Sequence, residues 1–202
     1  MQLGRIIDAD GHVLEPPNLW QENIESKYKD RALHIAKDEE GWESLVINGQ
    51  LSPTIRGLGV ASGFGKPGEV AFSKDFHYMD GPRGAYDPHE RIKQLDADGL
   101  DAAVLYPTLG LLWEGEVNDP GLALAYNRVY NDWIADFCSH YPDRLYGAAH
   151  ISLIDVDAAI LELKRITKLG LKTVMMTPFP ANGKAYGDTY YDPFWAVAQD
   201  LQ

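Results

Sequence analysis

From Asp87 onward, the chain alternates helical segments with short apolar runs. Asp87 and Pro88 supply a helix N-cap and a first helical residue, and Gly99 ends that helix. An apolar run over residues 101–108 follows, and the same order of helix and strand repeats towards the C-terminus. This alternation predicts βαβ units, a parallel sheet and right-handed connections between its strands.

Four strands and four helices are predicted in this pattern. The strands cover residues 1–13, 101–108, 145–153 and 171–177, and the helices cover 87–99, 119–141, 155–169 and a segment that begins at Asp192. The strands are short and apolar on both faces, as expected for strands that are covered by helices. Periodicity alone does not distinguish an open doubly wound sheet from a closed (β/α)8 barrel.

Residues 21–83 interrupt the alternation after the first strand. The run Trp42–Ile47 alternates in polarity and leads into Asn48 and Gly49, a favoured hairpin turn. We interpret this segment as an insertion, or lid, over the strand ends within a single domain of residues 1–202. A variable surface excursion is the alternative. Three cations of the segment are candidates for binding an acidic substrate: Arg56, His77 and Arg83.

The end of the first predicted strand carries Asp10 and His12. Residues two positions apart in an extended strand point to the same side. A carboxylate and an imidazole on one side can serve as two ligands of a divalent metal. The spacing also fits a solvated strand end with an ordinary surface histidine, so the residues alone leave both interpretations open.

The segment Arg5–Trp20, RIIDADGHVLEPPNLW, resembles the opening strand of the amidohydrolase 2 family and its aminocarboxymuconate-semialdehyde decarboxylase-like branch. The segments Gly84–Thr108 and Leu169–Leu201 extend the resemblance over most of the chain. It implies a metal-dependent (β/α)8 barrel, with four βα units and a long insertion after strand one in this chain. It also implies that Asp10 and His12 are metal ligands, with zinc as the expected cation.

The resemblance further implies that this chain is the N-terminal half of such an enzyme. The remaining ligands, a His on strand five or six and an Asp on strand eight, are then expected beyond Gln202, and that Asp is the usual acid/base. No catalytic residue is therefore assigned within the chain. The implied activity is hydrolysis or non-oxidative decarboxylation of a small carboxylated substrate, with decarboxylation favoured.

Two other interpretations stay open. The first is a truncated, non-catalytic half-barrel that acts as an interaction or binding protein, because the expected remaining ligands are absent. The second is an open α/β binding protein, for which a strand order other than consecutive parallel neighbours would be the evidence. No glycine-rich phosphate loop follows any predicted strand, which weakens nucleotide-binding versions of that interpretation.

Active sites of such barrels lie at the C-terminal ends of the strands. Glu15 has three possible roles: it orients His12, contacts substrate or is a solvated turn residue. A lone strand histidine is also commonly a structural residue. The candidate substrate-binding residues at these strand ends are Glu15, Tyr106, Thr108, His150 and Thr177.

Composition bounds the partners and the cellular setting. A formal net charge of −12 argues against nucleic acid or an anionic membrane surface as the main partner. Cys138 is the only cysteine, which excludes a disulfide framework and fits a reducing cytoplasm. A half-barrel leaves strand edges unpaired. We therefore expect a homo-oligomer or pairing with a C-terminal half, with a small molecule as substrate.

Overall fold

The computed structural model describes residues 4–179 and 182–201. In chain order, its strands are β1 (Ile7–His12), β2 (His34–Lys37), β3 (Glu43–Ile47), β4 (Gln50–Arg56), β5 (Ala102–Tyr106), β6 (Leu145–His150) and β7 (Thr173–Met175). Its α-helices are α1 (Leu19–Asn23), α2 (Gly68–Ala71), α3 (Pro88–Asp98), α4 (Pro120–Ser139), α5 (Val156–Lys168) and α6 (Asp192–Asp200). The order confirms the predicted alternation of strand and helix after residue 87.

The central sheet contains β1, β5, β6 and β7 in that spatial order. Every adjacent pair is parallel. Consecutive parallel neighbours joined by helices are the arrangement found in a segment of a (β/α)8 barrel. This order therefore weighs against the open α/β alternative, which a switched strand order would have favoured.

The helices begin and end where the sequence predicts. The Asp87 carboxylate accepts hydrogen bonds from the backbone N–H groups of His89 at 2.9 Å and Glu90 at 3.3 Å. Gly99 ends α3 in the left-handed conformation, with φ of 72°. Asp119 caps α4 in the same way as Asp87 caps α3. No helix in the two described ranges is long and apolar enough to cross a lipid bilayer.

The four strands of the central sheet are shorter in the structure than predicted. The strand predicted over residues 171–177 is β7 over only three residues, which pair with β6 at the edge of the sheet. Asp192 is the first residue of α6, as predicted, and Tyr191 occupies the N-cap position. The strand predicted over 1–13 begins at Ile7, and residues 1–3 lie outside the described ranges.

The insertion contains a three-stranded antiparallel sheet of β2, β3 and β4. Asn48 and Gly49 adopt φ of 55° and 78°, which confirms the predicted hairpin turn; β2 adds a strand that the sequence analysis had not predicted. The Tyr126 hydroxyl on α4 accepts a hydrogen bond from the Asn48 N–H at 3.1 Å and donates one to the Arg31 carbonyl. This single hydroxyl ties one end of the small sheet, where the segment before β2 meets the turn between β3 and β4, to α4.

The hydrophobic core lies between the central sheet and the helices, with α4 packed closely on β6. A Cβ atom added to Gly147 would lie 2.7 Å from Ile134 and 3.3 Å from the Cys138 sulfur, so β6 needs glycine here. Cys138 is buried, as expected for a small apolar residue. Burial raises the pKa of its thiol to about 12, which keeps it protonated and unreactive.

Candidate functional site

The C-terminal ends of β1 and β5 bring three of the predicted site residues together. His12 and Tyr106 are partners in the strand pairing, and their ring centroids are 6.1 Å apart. The Thr108 hydroxyl lies 3.5 Å from Nδ1 of His12. His12 is exposed, and the other two residues are half-buried. The sequence separation between them is bridged by the parallel pairing of β1 with β5.

The backbone fixes the orientation of the His12 ring. Nδ1 of His12 lies 2.8 Å from the carbonyl oxygen of Pro107. A carbonyl can only accept a hydrogen bond, so this contact places a ring proton on Nδ1, and in the neutral imidazole the lone pair then lies on Nε2. Metal-binding histidines commonly use one ring nitrogen in this way and present the other to the cation.

The strand that carries this pair contains a β-bulge. Pairing with β5 is irregular between Asp8 and Gly11. A Cβ on Gly11 would lie 3.0 Å from the Asp8 carboxylate and 3.1 Å from the Leu105 side chain, so the bulge leaves little room for a larger residue. The simple alternation that placed Asp10 beside His12 is interrupted next to Asp10. Both side chains are exposed at this strand end.

The donor set of Asp10 and His12 fits a divalent cation, because carboxylate oxygen and imidazole nitrogen both bind such ions. The free Nε2 of His12 supports the fit. Across residues 4–179 and 182–201, no group of three or more His, Cys, Asp or Glu side chains is arranged to hold a metal. A cation at this strand end would therefore need further ligands besides the two residues of β1.

Glu15 holds the loop after β5 against the end of β1. Its two carboxylate oxygens accept hydrogen bonds from the backbone N–H groups of Thr108 at 3.1 Å, Leu109 at 3.0 Å and Gly110 at 2.9 Å. The Tyr78 hydroxyl donates a fourth bond at 3.1 Å. Tyr78 belongs to the insertion, so this segment reaches the C-terminal end of β1. The carboxylate thus joins three regions that are distant in the sequence.

This placement corrects the expectation that Glu15 orients His12 or contacts substrate. Its side chain is fully buried, and none of its hydrogen bonds in the described part of the chain involves His12. The Pro107 carbonyl orients the imidazole instead. Burial raises the pKa of the Glu15 carboxyl above its ordinary value, although the backbone N–H groups it binds act in the opposite direction.

His150 ends β6 in a buried polar cluster. Its Nε2 lies 3.2 Å from a carboxylate oxygen of Glu114, and its ring centroid is 5.2 Å from that of Trp113. Only 2% of the His150 side chain and 6% of the Glu114 side chain are exposed. His150 was predicted from the sequence as a site residue, whereas Glu114 was not. The sequence signal that could have identified Glu114 was an acidic side chain within the largely apolar loop 109–117.

Thr177 follows β7 and anchors the next loop. Its carbonyl accepts a hydrogen bond from the Tyr186 hydroxyl at 2.5 Å, and its own hydroxyl accepts one from the Phe179 N–H at 3.4 Å. Burial raises the pKa of Tyr186 to about 12, and the nearby Glu114 carboxylate adds to the increase. The loop after β7 therefore approaches the cluster of His150 and Glu114, while substrate contact by Thr177 stays a prediction.

The three cations that had been candidates for binding an acidic substrate are already engaged. Each lies within ion-pair distance of a carboxylate in its own part of the chain, and the charges of the two arginines are partly neutralised. This arrangement argues against a role for them as free anion-binding groups. The pairs are Arg56 with Asp38 and Glu40, His77 with Glu43, and Arg83 with Asp87.

Curated relatives with similar sequences are decarboxylases. The chain is 32% identical over 117 residues to a gamma-resorcylate decarboxylase from Rhizobium radiobacter, which covers 55% of this chain and 35% of the relative. The chain thus spans about a third of the length of the curated relatives it matches.

Solved structures with similar folds include an amidohydrolase from Mycobacterium avium subsp. paratuberculosis. It is 22% identical with a TM-score of 0.78, and the match covers 97% of this chain and 56% of that one. A 5-carboxyvanillate decarboxylase from Novosphingobium aromaticivorans, crystallised with bound manganese, is 26% identical with a TM-score of 0.51. That match covers 59% of this chain and 34% of the other.

These likenesses confirm the predicted fold class, in which the four parallel strands are part of an amidohydrolase-type TIM barrel. The match to about half of the Mycobacterium avium chain agrees with a partial barrel of four βα units. A family model described as Amidohydrolase matches residues 7–202. The chain therefore belongs to the amidohydrolase family.

Proposed function

We propose that this chain forms part of a metal-dependent decarboxylase that acts on small aromatic carboxylic acids. The decarboxylase relatives support the reaction type. The observation that carries the proposal is the strand end of β1, where Asp10 and His12 are exposed and the Pro107 carbonyl leaves Nε2 of His12 free. A fixed imidazole beside a carboxylate is a preorganised start for a metal centre.

Each residue at this strand end has a proposed role. Asp10 and His12 bind the cation, and Pro107 holds the ring of His12 in one tautomer. Tyr106 and Thr108 line the same strand end beside His12 and are proposed to contact substrate. A bound divalent metal supplies Lewis acidity that polarises a substrate oxygen. The proposal requires the remaining ligands to come from barrel strands other than the four of this chain.

The metal itself is proposed only as a divalent cation. Zinc is the expectation from the sequence, whereas the related 5-carboxyvanillate decarboxylase was crystallised with manganese. Carboxylate and imidazole ligands accept both ions. Both metals therefore belong in any reconstitution experiment, together with a metal-free sample.

The test uses the natural full-length protein, reconstituted separately with Mn²⁺ and Zn²⁺. Release of CO₂ from 2,6-dihydroxybenzoate is measured, together with bound metal by elemental analysis. For His12→Ala, we expect turnover to fall at least about 100-fold and bound metal to decrease, because a ligand is lost. His89→Ala is the matched control, because this exposed helix-α3 histidine bonds to the Tyr141 hydroxyl away from β1.

Two results would contradict the proposal. Turnover and metal content within twofold of the unmodified protein in His12→Ala would remove the metal site on β1. Hydrolysis of an amide or ester without any CO₂ release from a panel of aromatic acids would replace decarboxylation with the hydrolytic alternative. Absence of both activities and of bound metal in the unmodified protein would favour a non-catalytic binding protein.

A further inference from the structure

His150 lies on the same face of the central sheet as the candidate metal ligand. His12 pairs with Tyr106, and the pairing of β5 with β6 places Tyr106 level with Ala148. His150 lies two positions beyond Ala148 on β6, so its side chain returns to that face. Gly147, on the opposite face, packs against α4. The face of His12, Tyr106 and His150 is therefore the inner face of the partial barrel.

The backbone of His150 is held by a buried polar network on the helix side of the sheet. The Asn131 side chain donates to the His150 carbonyl at 3.0 Å and accepts from the His150 N–H at 2.8 Å. Glu162 accepts a bond from Asn131 at 2.8 Å and pairs with Arg165 at 2.7 Å. These bonds fix the position from which the His150 ring projects, which is the preorganisation expected of a binding residue.

The Glu114 carboxylate faces His150 without a hydrogen-bond donor. Both carboxylate oxygens of Glu114 and Nδ1 of His150 are buried. In the described part of the chain, none of these three atoms has a hydrogen-bond partner. Nε2 of His150 is near one oxygen, at 3.2 Å, but is not aligned as a donor. Buried polar atoms are nearly always satisfied in folded proteins, because an unpaired buried group destabilises the fold.

We propose that Glu114 and His150 form a recognition subsite for a hydrogen-bond donor on the substrate, such as a hydroxyl group of an aromatic acid. The proposal rests on the proposed decarboxylase function and deepens it by assigning two specificity-determining residues. An ionised carboxylate only accepts hydrogen bonds, so its complement in a ligand is an O–H or N–H group. Nδ1 of His150 can bind a second such group or an acceptor.

The burial of Glu114 and His150 predicts strong discrimination between ligands with and without a hydrogen-bond donor. Both side chains are almost fully shielded from water, so a ligand that lacks the donor leaves the carboxylate unpaired in a low-dielectric site. Sites built to bind a substrate hydroxyl reject analogues without it far more strongly than apolar pockets reject a missing methylene group. We expect at least a tenfold preference for the hydroxylated ligand.

The experiment compares two probes by titration calorimetry on the natural full-length protein with manganese present. The probes are 2,6-dihydroxybenzoate and 2,6-difluorobenzoate, which keeps the carboxylate and ring but lacks hydroxyl donors. For the unmodified protein, we expect at least tenfold tighter binding of the dihydroxy compound. In Glu114→Gln the preference should fall below about threefold. Glu116→Gln is the matched control, because Glu116 lies on the same loop and binds Ser52.

The outcomes separate this proposal from the function on which it rests. Equal binding of both probes by the unmodified protein would overturn the subsite and leave the decarboxylase proposal intact. A preference retained in Glu114→Gln would also overturn it. Binding of neither probe would overturn the proposed function and the subsite together. If Glu114→Gln does not fold, as judged by circular dichroism, the two probes on the unmodified protein still decide the question.

Discussion

Two buried glutamates at the C-terminal ends of the strands differ in their hydrogen bonding. Glu15 accepts bonds from three backbone N–H groups and one tyrosine hydroxyl. Glu114 has only the misaligned Nε2 of His150 within ion-pair distance, and no hydrogen-bond donor in the described ranges. The two residues belong to one unit, because Glu15 anchors the start of the loop that carries Glu114.

The difference separates a structural carboxylate from a candidate binding carboxylate. A buried acid whose acceptor positions are filled by the protein stabilises a loop and has little capacity left for a ligand. A buried acid with open positions lowers stability and is retained where a ligand completes its bonding. Burial and charge alone do not distinguish the two cases, whereas the list of hydrogen-bond partners does.

The largest loss of stability is expected for substitution of Glu15. In Glu15→Gln, the amide NH₂ group replaces one acceptor oxygen and faces backbone N–H donors, so buried donors are left unpaired. We expect the free energy of unfolding to fall by about 3 kcal/mol, measured by urea denaturation. Glu69→Gln, at an exposed position of α2, should change it by less than about 0.5 kcal/mol. A loss below about 1 kcal/mol in Glu15→Gln would contradict the structural role.

An intermediate loss of stability is expected for substitution of Gly110, whose backbone N–H donates to the Glu15 carboxylate. An added Cβ would be 2.8 Å from Pro107 and 3.2 Å from the Glu15 carboxylate. We expect Gly110→Ala to lower the free energy of unfolding by about 1–3 kcal/mol through overpacking. Gly115 on the same loop has nothing within 4 Å of an added Cβ, so Gly115→Ala serves as the control. Equal melting temperatures for the two variants would mean that the hydrogen bonds between Glu15 and this loop tolerate a shift of Gly110.

The smallest change in stability is expected for Glu114→Gln, which is the same substitution as the one proposed at Glu15. Glu114→Gln replaces a buried carboxyl group whose oxygens accept no hydrogen bond in the described ranges, so the free energy of unfolding should stay within about 1 kcal/mol or rise. Urea denaturation of both Gln variants in one buffer gives the comparison directly. A loss of about 3 kcal/mol at Glu114, equal to that at Glu15, would mean that both carboxylates are structural.

The sequence was sufficient to predict the order of strands and helices. Helix caps such as Asp87 and the left-handed Gly99 act within one turn, so local chemistry determines them. The hairpin turn at Asn48 and Gly49 follows the same logic. β2 was missed because its strand character depends on pairing with β3, and β7 was predicted too long because the apolar run does not show where its pairing with β6 ends.

The site was predicted less completely, because its contacts join distant parts of the chain. His12 and Tyr106 were identified by their places at strand ends, and the structure brings them together. The partners of Glu15 lie in the insertion and in the loop after β5, which no local pattern connects to β1. Glu114 was missed for the same reason, since only the fold places it opposite His150.

The strand pairing also predicts the order in which the parts of the site come together during folding. Ala148 and Thr173, partners in β6 and β7, are close in the sequence, whereas Ile7 and Ala102, partners in β1 and β5, are separated by the whole insertion. Closing a long loop costs more chain entropy than closing a short one, which delays the contacts that depend on it. The strand that carries the candidate metal ligands is therefore expected to be the last to join the sheet during folding.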